Sequence, residues 1–356
     1  MILARSPYYI VTKQFTWTNK TAEVELRIWR GDKVNDEPTD PIRTFTLQKP
    51  ALSITKLSKD IAPHIRDFFL NQSIDVFNTT IQQQDSQVWV KWNIDYIEDA
   101  SMTSDEGIDY AVEGYSSFLD GVNHQKIGIL QNNIELRSIK KVYDQGITII
   151  GFNYDEDITV ETTNDQGTVI TSTFLPLTTA SIKQIQYVVL NNDDYGSRIQ
   201  ITVKDSNLNR LYSFDYQVIC ENKFEPKNII FKNKYGAFEN IYFFKKSTES
   251  LKVENEEFIG NVITPNATYN TAQHQFKNFN TNTKMTLNLT SGFVDEELNQ
   301  NLKELMHSNA IWLQENNRLI PLNIKTTSKE FKSERVDQKI SYDFEFEYAF
   351  NELNTM

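Results

Sequence analysis

Three acidic residues recur on every second position near the end of the chain. They are Asp343, Glu345 and Glu347, within the stretch ISYDFEFEYAF at 340–350. In a β-strand alternate side chains share a face and stand about 7 Å apart. That spacing falls inside the range of about 5 to 9 Å that separates the two carboxyls of a glycoside hydrolase. Hydrolytic pairs, however, come from different elements across a cleft, with one carboxyl kept protonated by burial. Three carboxylates in line on one strand repel each other unless water or cations face them. Lys325, Lys329, Lys332, Arg335 and Lys339 lie just upstream and offer cross-strand partners. The row therefore reads as a sheet face turned to solvent or to a neighbouring subunit, and no catalytic residue is assigned.

Other chemistry is sparse. The four histidines, His64, His124, His274 and His307, are scattered, and no pair has the spacing of a zinc site. The acidic stretches NYDEDIT (153–159) and NNDDYG (191–196) carry oxygen ligands of the kind calcium takes. They lack the glycine and closing glutamate of an EF-hand loop, so ordinary turn chemistry from Asn and Asp is the expectation. Cys220 is the single cysteine, which excludes an intramolecular disulfide. It alternates in phase with Tyr212, Phe214, Tyr216 and Val218, and so reads as a core thiol rather than a nucleophile. Nucleophile-elbow, phosphate-loop and dinucleotide glycine motifs are absent. No enzyme activity, metal or cofactor is expected. Trp29 and Trp89 fall out of phase with the apolar positions of their strands. They are candidate exposed aromatics for sugar stacking, unless those strands are covered on both faces or meet a neighbouring subunit.

The elements that carry these residues are mostly strands. Ala22, Val24, Leu26 and Ile28 alternate with polar neighbours or tryptophan, as do Val88, Val90, Trp92, Ile94 and Tyr96. Between them SKDIAPHIRDFFLN (58–71) reads as one short helix, with Ser58 or Asp60 as cap and Ile61, Ile65, Phe68 and Phe69 on one face. This predicts a β-sandwich domain with an inserted helix over 1–125. Residues 126–246 hold short strands at about ten-residue spacing, which predicts a second β-sandwich. That region ends in a hairpin turned at Asn233-Lys234-Tyr235-Gly236. Residues 247–284, rich in Asn, Thr, Glu and Lys, read as a polar arm or linker with at most a strand or two.

The last region, 285–356, reads as a sheet packed by one helix. VDEELNQNLKELMHS places Val294, Leu298, Leu302, Leu305 and Met306 on one stripe, with acids in the first turn and His307 in the last. The Leu stripe is the expected partner of the aromatic face of the 340–350 strand. The fold class is thus mainly β: two sandwich-like domains, then an α+β module.

The chain has 356 residues, more than one core normally supports. Forty-eight acidic against 36 basic residues give a net charge of −12. That charge disfavours sequence-specific or general nucleic-acid binding, which rests on neutralising phosphates. No stretch has the length and apolarity of a membrane helix, and the N-terminal residues do not read as a signal peptide.

Three stretches together carry a resemblance: ILARSPYYI (2–10), IIFKNKYGAFENIYFF (229–244), and the run from LNLTSGFVDEELNQNLKELMHSNAIWL to ISYDFEFEYAFN. They resemble virion structural proteins of tailed bacteriophages infecting Bacteroidota, and the last third is similar to the sandwich-plus-helix block of tail-tube, distal-tail and baseplate proteins. The resemblance implies a virion protein, assembled in the bacterial cytoplasm. It would form a homo-oligomeric ring, six- or twelve-fold, that contacts other tail or neck proteins. A distal-tail-like baseplate ring is the first reading. A neck or collar ring, or a host-surface glycan-binding module, is the alternative.

Overall fold

The alternating patterns form strands because each buries one row of side chains. In Thr21–Arg30, Ala22, Val24, Leu26 and Ile28 are buried while the residues between the first three are half-exposed. The computed structural model describes the chain except residues 15–20, 32, 50–55, 70–74, 77–81, 84–87, 98–103, 124–126, 132–138, 177–184, 333–339 and 353–356. His124, Arg335 and Lys339 lie outside the described residues. The chain is mainly β, built from several sheets with two α-helices among the described residues.

Two compact units are present. Unit 1 comprises Met1–Cys220, Ile230–Tyr242 and Glu297–Ser308, and unit 2 comprises Glu221–Ile229, Phe243–Glu296 and Asn309–Met356. The division differs from the expected boundaries at 125 and 246. The two leading β regions belong to one unit, and the sheets show why. Gln82–Gln83, from the first region, pairs antiparallel with Gln186–Asn191 in the second.

The first sheet of unit 1 has the order Ile2–Leu3, Asp105–Val112, Val88–Tyr96, Thr21–Arg30, Arg43–Gln48. Its apolar face is covered by Ile10 and by the helix α1 (Ala62–Arg66), in which Ile65 is fully buried, as is Ile61 just before it. Helix α1 is shorter than the sequence pattern suggests, because Ser58–Asp60 pairs as a strand with Tyr9–Val11. The N-cap position falls on Ile61 without a side-chain cap, not on Ser58 or Asp60. The Asp60 carboxylate, one residue earlier, accepts from the Ala62 and Tyr8 amides, each at 3.0 Å, and ties the helix start to the first strand pair. Phe68 and Phe69 pack on the same core from beyond the helix.

The second region supplies a five-stranded sheet in the order Lys140–Tyr143, Arg210–Ile219, Arg198–Lys204, Ile158–Thr163, Val169–Leu175. A four-stranded sheet centres on Ile147–Asn153 and Gln186–Asn191. Short strands recur through this region, as the sequence spacing predicts.

In unit 2 the strands run Ile311–Glu315, Arg318–Ile324, Asp343–Tyr348, Phe276–Thr290, Ser247–Ile259. The first two are joined by Asn316 and Asn317, both at positive φ, which is the two-residue hairpin turn that asparagine favours. The expected arm at 247–284 is largely a β-hairpin, with Ser247–Ile259 paired along its whole length to Phe276–Thr290.

Helix α2 (Leu298–His307) is part of unit 1. This corrects the placement of the helix within a 285–356 module. Leu302 and Leu305 are fully buried, and Leu298 and Met306 are half-buried. Val294 leaves the stripe: it precedes the helix and bridges to Ile340 in unit 2. Asp295, Glu296 and Glu297 also fall before the first turn, because the helix starts at Leu298.

Candidate functional site

The carboxylate row of unit 2 sits where alternation places it. Tyr342, Phe344, Phe346 and Tyr348 are buried, and Asp343 and Glu345 are exposed. Phe243 meets Phe344 and Phe346 edge-on at 6.0 and 6.3 Å, and Phe331 lies 5.8 Å from Tyr342. These rings fill the core side of the strand. On the other face the residues directly opposite are neutral: Thr290 faces Asp343, Asn288 faces Glu345 and Thr286 faces Glu347. Thr290 donates to Asp343 at 2.5 Å, and Lys325 pairs with Glu347 at 2.6 Å. The Lys325 ammonium, with Lys284 farther off, holds the Glu347 carboxyl below its usual range. The row pairs with a threonine and a lysine rather than with a second carboxyl. The row is a mixed polar sheet face.

The same sheet continues into the hairpin. Its core face runs outward from buried Leu289 and Leu287 to Leu251 and Val253, which are 52% and 47% exposed. Glu249 lies on that face and accepts a hydrogen bond from the Tyr348 hydroxyl at 2.7 Å. Farther out the pairing shifts between Asn255 and Glu256, where Asn280 adopts φ 51°. That bulge twists the end of the hairpin. Beyond it Phe258 and Phe279 stack edge-on at 5.8 Å, and Ile259 and Phe276 stand opposite one another. All four are about half exposed or more. A recess of about 770 Å³ at this end is lined by Glu257, Asn261, His274 and Lys277 among others. The hairpin is thus a projecting ribbon with apolar side chains on both faces. Sequence reading missed these residues because the shift at 255–256 breaks the period-two pattern and polar residues dominate the count.

Trp29 and Trp89 are corrected from exposed to buried, at 6% and 7% exposure. They face one another across adjacent strands. Trp89 also lies edge-on to Tyr110 at 6.0 Å, donates its indole N–H to Gly31 at 3.0 Å, and carries the Lys33 ammonium over its ring. The strands are covered on both faces there, which removes the tryptophans as a stacking platform. Cys220 is corrected in the opposite sense. The strand ends at Ile219, so the alternation that buries Phe214 and Tyr216 stops short and Cys220 is exposed.

Among the described residues no three His, Cys, Asp or Glu side chains gather as a metal site. In the 191–196 loop Asn192 is buried. It accepts from the Thr148 hydroxyl at 2.7 Å and donates to the Tyr143 carbonyl at 2.9 Å, while Asn191 caps the Asp193 amide. Those oxygens serve the turn.

The densest polar chemistry lies in unit 1, around Glu239, where sequence reading placed nothing. Glu239 is 1% exposed. Its carboxylate accepts from Lys140 at 2.5 Å, from Asn233 at 3.1 Å, and from the Asn301 amide of α2. The Asn233 amide also donates to the Leu130 carbonyl, and its oxygen accepts from the Tyr235 and Ala237 amides. Glu304 of α2 accepts from the Lys234 amide at 3.2 Å. Tyr216, whose hydroxyl bonds to Gln131, has its pKa raised by burial and by the nearby Glu239 charge. Every acceptor of Glu239 is occupied by protein, so the cluster locks the turn at 233–236 and α2 in place rather than holding a reactive group. Its only sequence trace is an acid inside the apolar run FENIYFF.

A second clamp fixes the end of α2. Arg5 donates to the His307 carbonyl at 2.7 Å and lies over the Tyr115 ring, whose hydroxyl is 3.1 Å from His307 Nδ1. It gives the ARSP stretch of the N-terminus a structural job.

Comparison with known proteins adds little. No family model matches the chain, and no curated protein matches it. One solved structure similar to it is described as "Biofilm associated protein - BSP domain", at 9% identity and a TM-score of 0.21. That match covers 80% of this chain and 60% of the other.

Proposed function

We propose that this chain is a structural component of a tailed-phage virion, forming a symmetric ring in the tail or baseplate that joins neighbouring virion proteins. The observation that carries this reading is the projecting hairpin of unit 2. It holds apolar side chains out on both faces, and its outer strand is a sheet edge with no further strand on it among the described residues. A free edge with exposed apolar residues is a pairing template that proteins normally blunt or cover. In a closed assembly of copies a neighbouring chain covers it, so that no copy keeps a bare edge. The sequence resemblance supplies the phage setting. The net charge of −12 suits a lumen that passes DNA without holding it.

The carboxylate row fits the same reading as a hydrated wall, since its charges are met by Thr290 and Lys325 rather than by a substrate cleft. A neck or collar ring uses the same architecture at another level of the particle. The host-surface glycan-binding alternative needs an open aromatic platform, and the two tryptophans that suggested one are buried. Electron microscopy of the purified protein tests the proposal. Annular particles with rotational symmetry support it. Single-chain particles that bind host polysaccharide would favour the adhesin.

A further inference from the structure

The edge strand Ser247–Ile259 carries a charge pattern that is complementary to itself. Lys252 and Glu254 are exposed on one face and pair with each other along the strand at 2.5 Å. Glu254 is held below its usual pKa by Lys252, with Lys284 of the adjacent strand adding to the effect. On the other face Leu251 and Val253 extend the buried row of Leu287 and Leu289 to the sheet edge without cover.

We propose that two copies of this chain pair edge to edge through this strand, antiparallel about a two-fold axis at Val253. A two-fold axis perpendicular to a sheet keeps each side chain on its own face, so the opposite residues in any such register sum to an even number. With Val253 on the axis, Lys252 stands opposite Glu254 of the second copy, and Glu254 opposite its Lys252. Val253 meets its own counterpart, and Leu251 reaches it diagonally. The neighbouring even registers are worse. An axis at Lys252 sets Lys252 against itself, and an axis at Glu254 sets Glu254 against itself. Charges on an edge usually keep strands apart. Here they select one register, with repulsion left only at the far ends, where Glu249 stands opposite Glu257. The contact is isologous and independent of any head-to-tail contact that closes a ring.

Cysteine cross-linking tests this. In a Cys220→Ser background, Val253→Cys places two thiols across the axis. Their Cα separation would be about 5 Å, inside the disulfide range of about 4.4 to 6.8 Å. Mild oxidation should give a covalent pair on a non-reducing gel. Thr248→Cys in the same background should not, because its two copies lie about 30 Å apart in this register. Lys252→Glu or Glu254→Lys alone should lower the cross-linked fraction about tenfold at limiting concentration, and the two together should restore it. All four positions are on an exposed ribbon, and circular dichroism checks that each variant is folded. No covalent pair from Val253→Cys, equal pairing from Thr248→Cys, or no rescue by the double swap would each overturn the proposal. Cross-linked pairs without annular particles would sink the ring and keep the two-fold. Annular particles without cross-links would do the reverse.

Discussion

Two glutamates show how little a charge means apart from its surroundings. Glu345 is exposed and faces Asn288, and its backbone amide donates to the Thr326 hydroxyl at 2.9 Å. Replacing it with glutamine should move stability by no more than about 0.5 kcal/mol, read from the thermal midpoint. Glu239 is buried with Lys140 against it and two asparagine amides on its oxygens. Glu239→Gln leaves Lys140 facing a neutral amide and forces one N–H against donors. We expect a loss of about 3 kcal/mol in urea unfolding. Tyrosines give a pH signature. Burial pushes the Tyr96 hydroxyl up to about 12, partly offset by the bond from the Lys13 amide and reinforced by Asp105. Tyr187 and Tyr216 are raised mainly by burial as well. An unfolded tyrosine ionises near pH 10. Their contribution is therefore complete below about pH 10 and declines as pH rises toward the folded values. The urea midpoint should fall progressively between about pH 10 and 12. A flat profile there would contradict their burial. The alternation of Asp343, Glu345 and Glu347 with aromatic residues was legible in the sequence, because a strand has only two faces. Glu239 was not, since its three donors come from segments far apart in the chain.

At the scale of elements, turns proved easier to read than helix partners. Asn233-Lys234-Tyr235-Gly236 was recognisable as a turn from residue type alone. Gly236 sits at φ 76°, and a Cβ there would come within 3.1 Å of the Gly114 backbone nitrogen. Gly236→Ala should therefore cost about 1 to 3 kcal/mol, measurable as a lower thermal midpoint. Gly167 offers a control. It has φ 78° but nothing within 4 Å of the Cβ position, so alanine there should cost less. Helix α2 was visible from its Leu stripe, but its unit was not. A stripe says that a face is buried, not against what. Asn301 and Glu304, polar residues on that stripe's flank, turn out to be the ones that specify its place. The Trp29–Trp89 pair failed for a related reason. Period two reports which residues share a face and leaves open whether the second face is covered too.

For the molecule as a whole, the mainly β class followed directly from composition and alternation. The grouping of the first two regions into one unit did not. It depends on Gln82–Gln83 adding to a sheet about a hundred residues later, and long-range pairing leaves no local trace. The proposed ring would cover two features, an edge strand with no further strand on it among the described residues and the exposed apolar end of its hairpin. The most direct test is the native mass of the purified protein across a concentration series. A ring gives a discrete species of six or twelve copies of the 41.4 kDa chain, persisting on dilution. A mass of one chain at every concentration would contradict it.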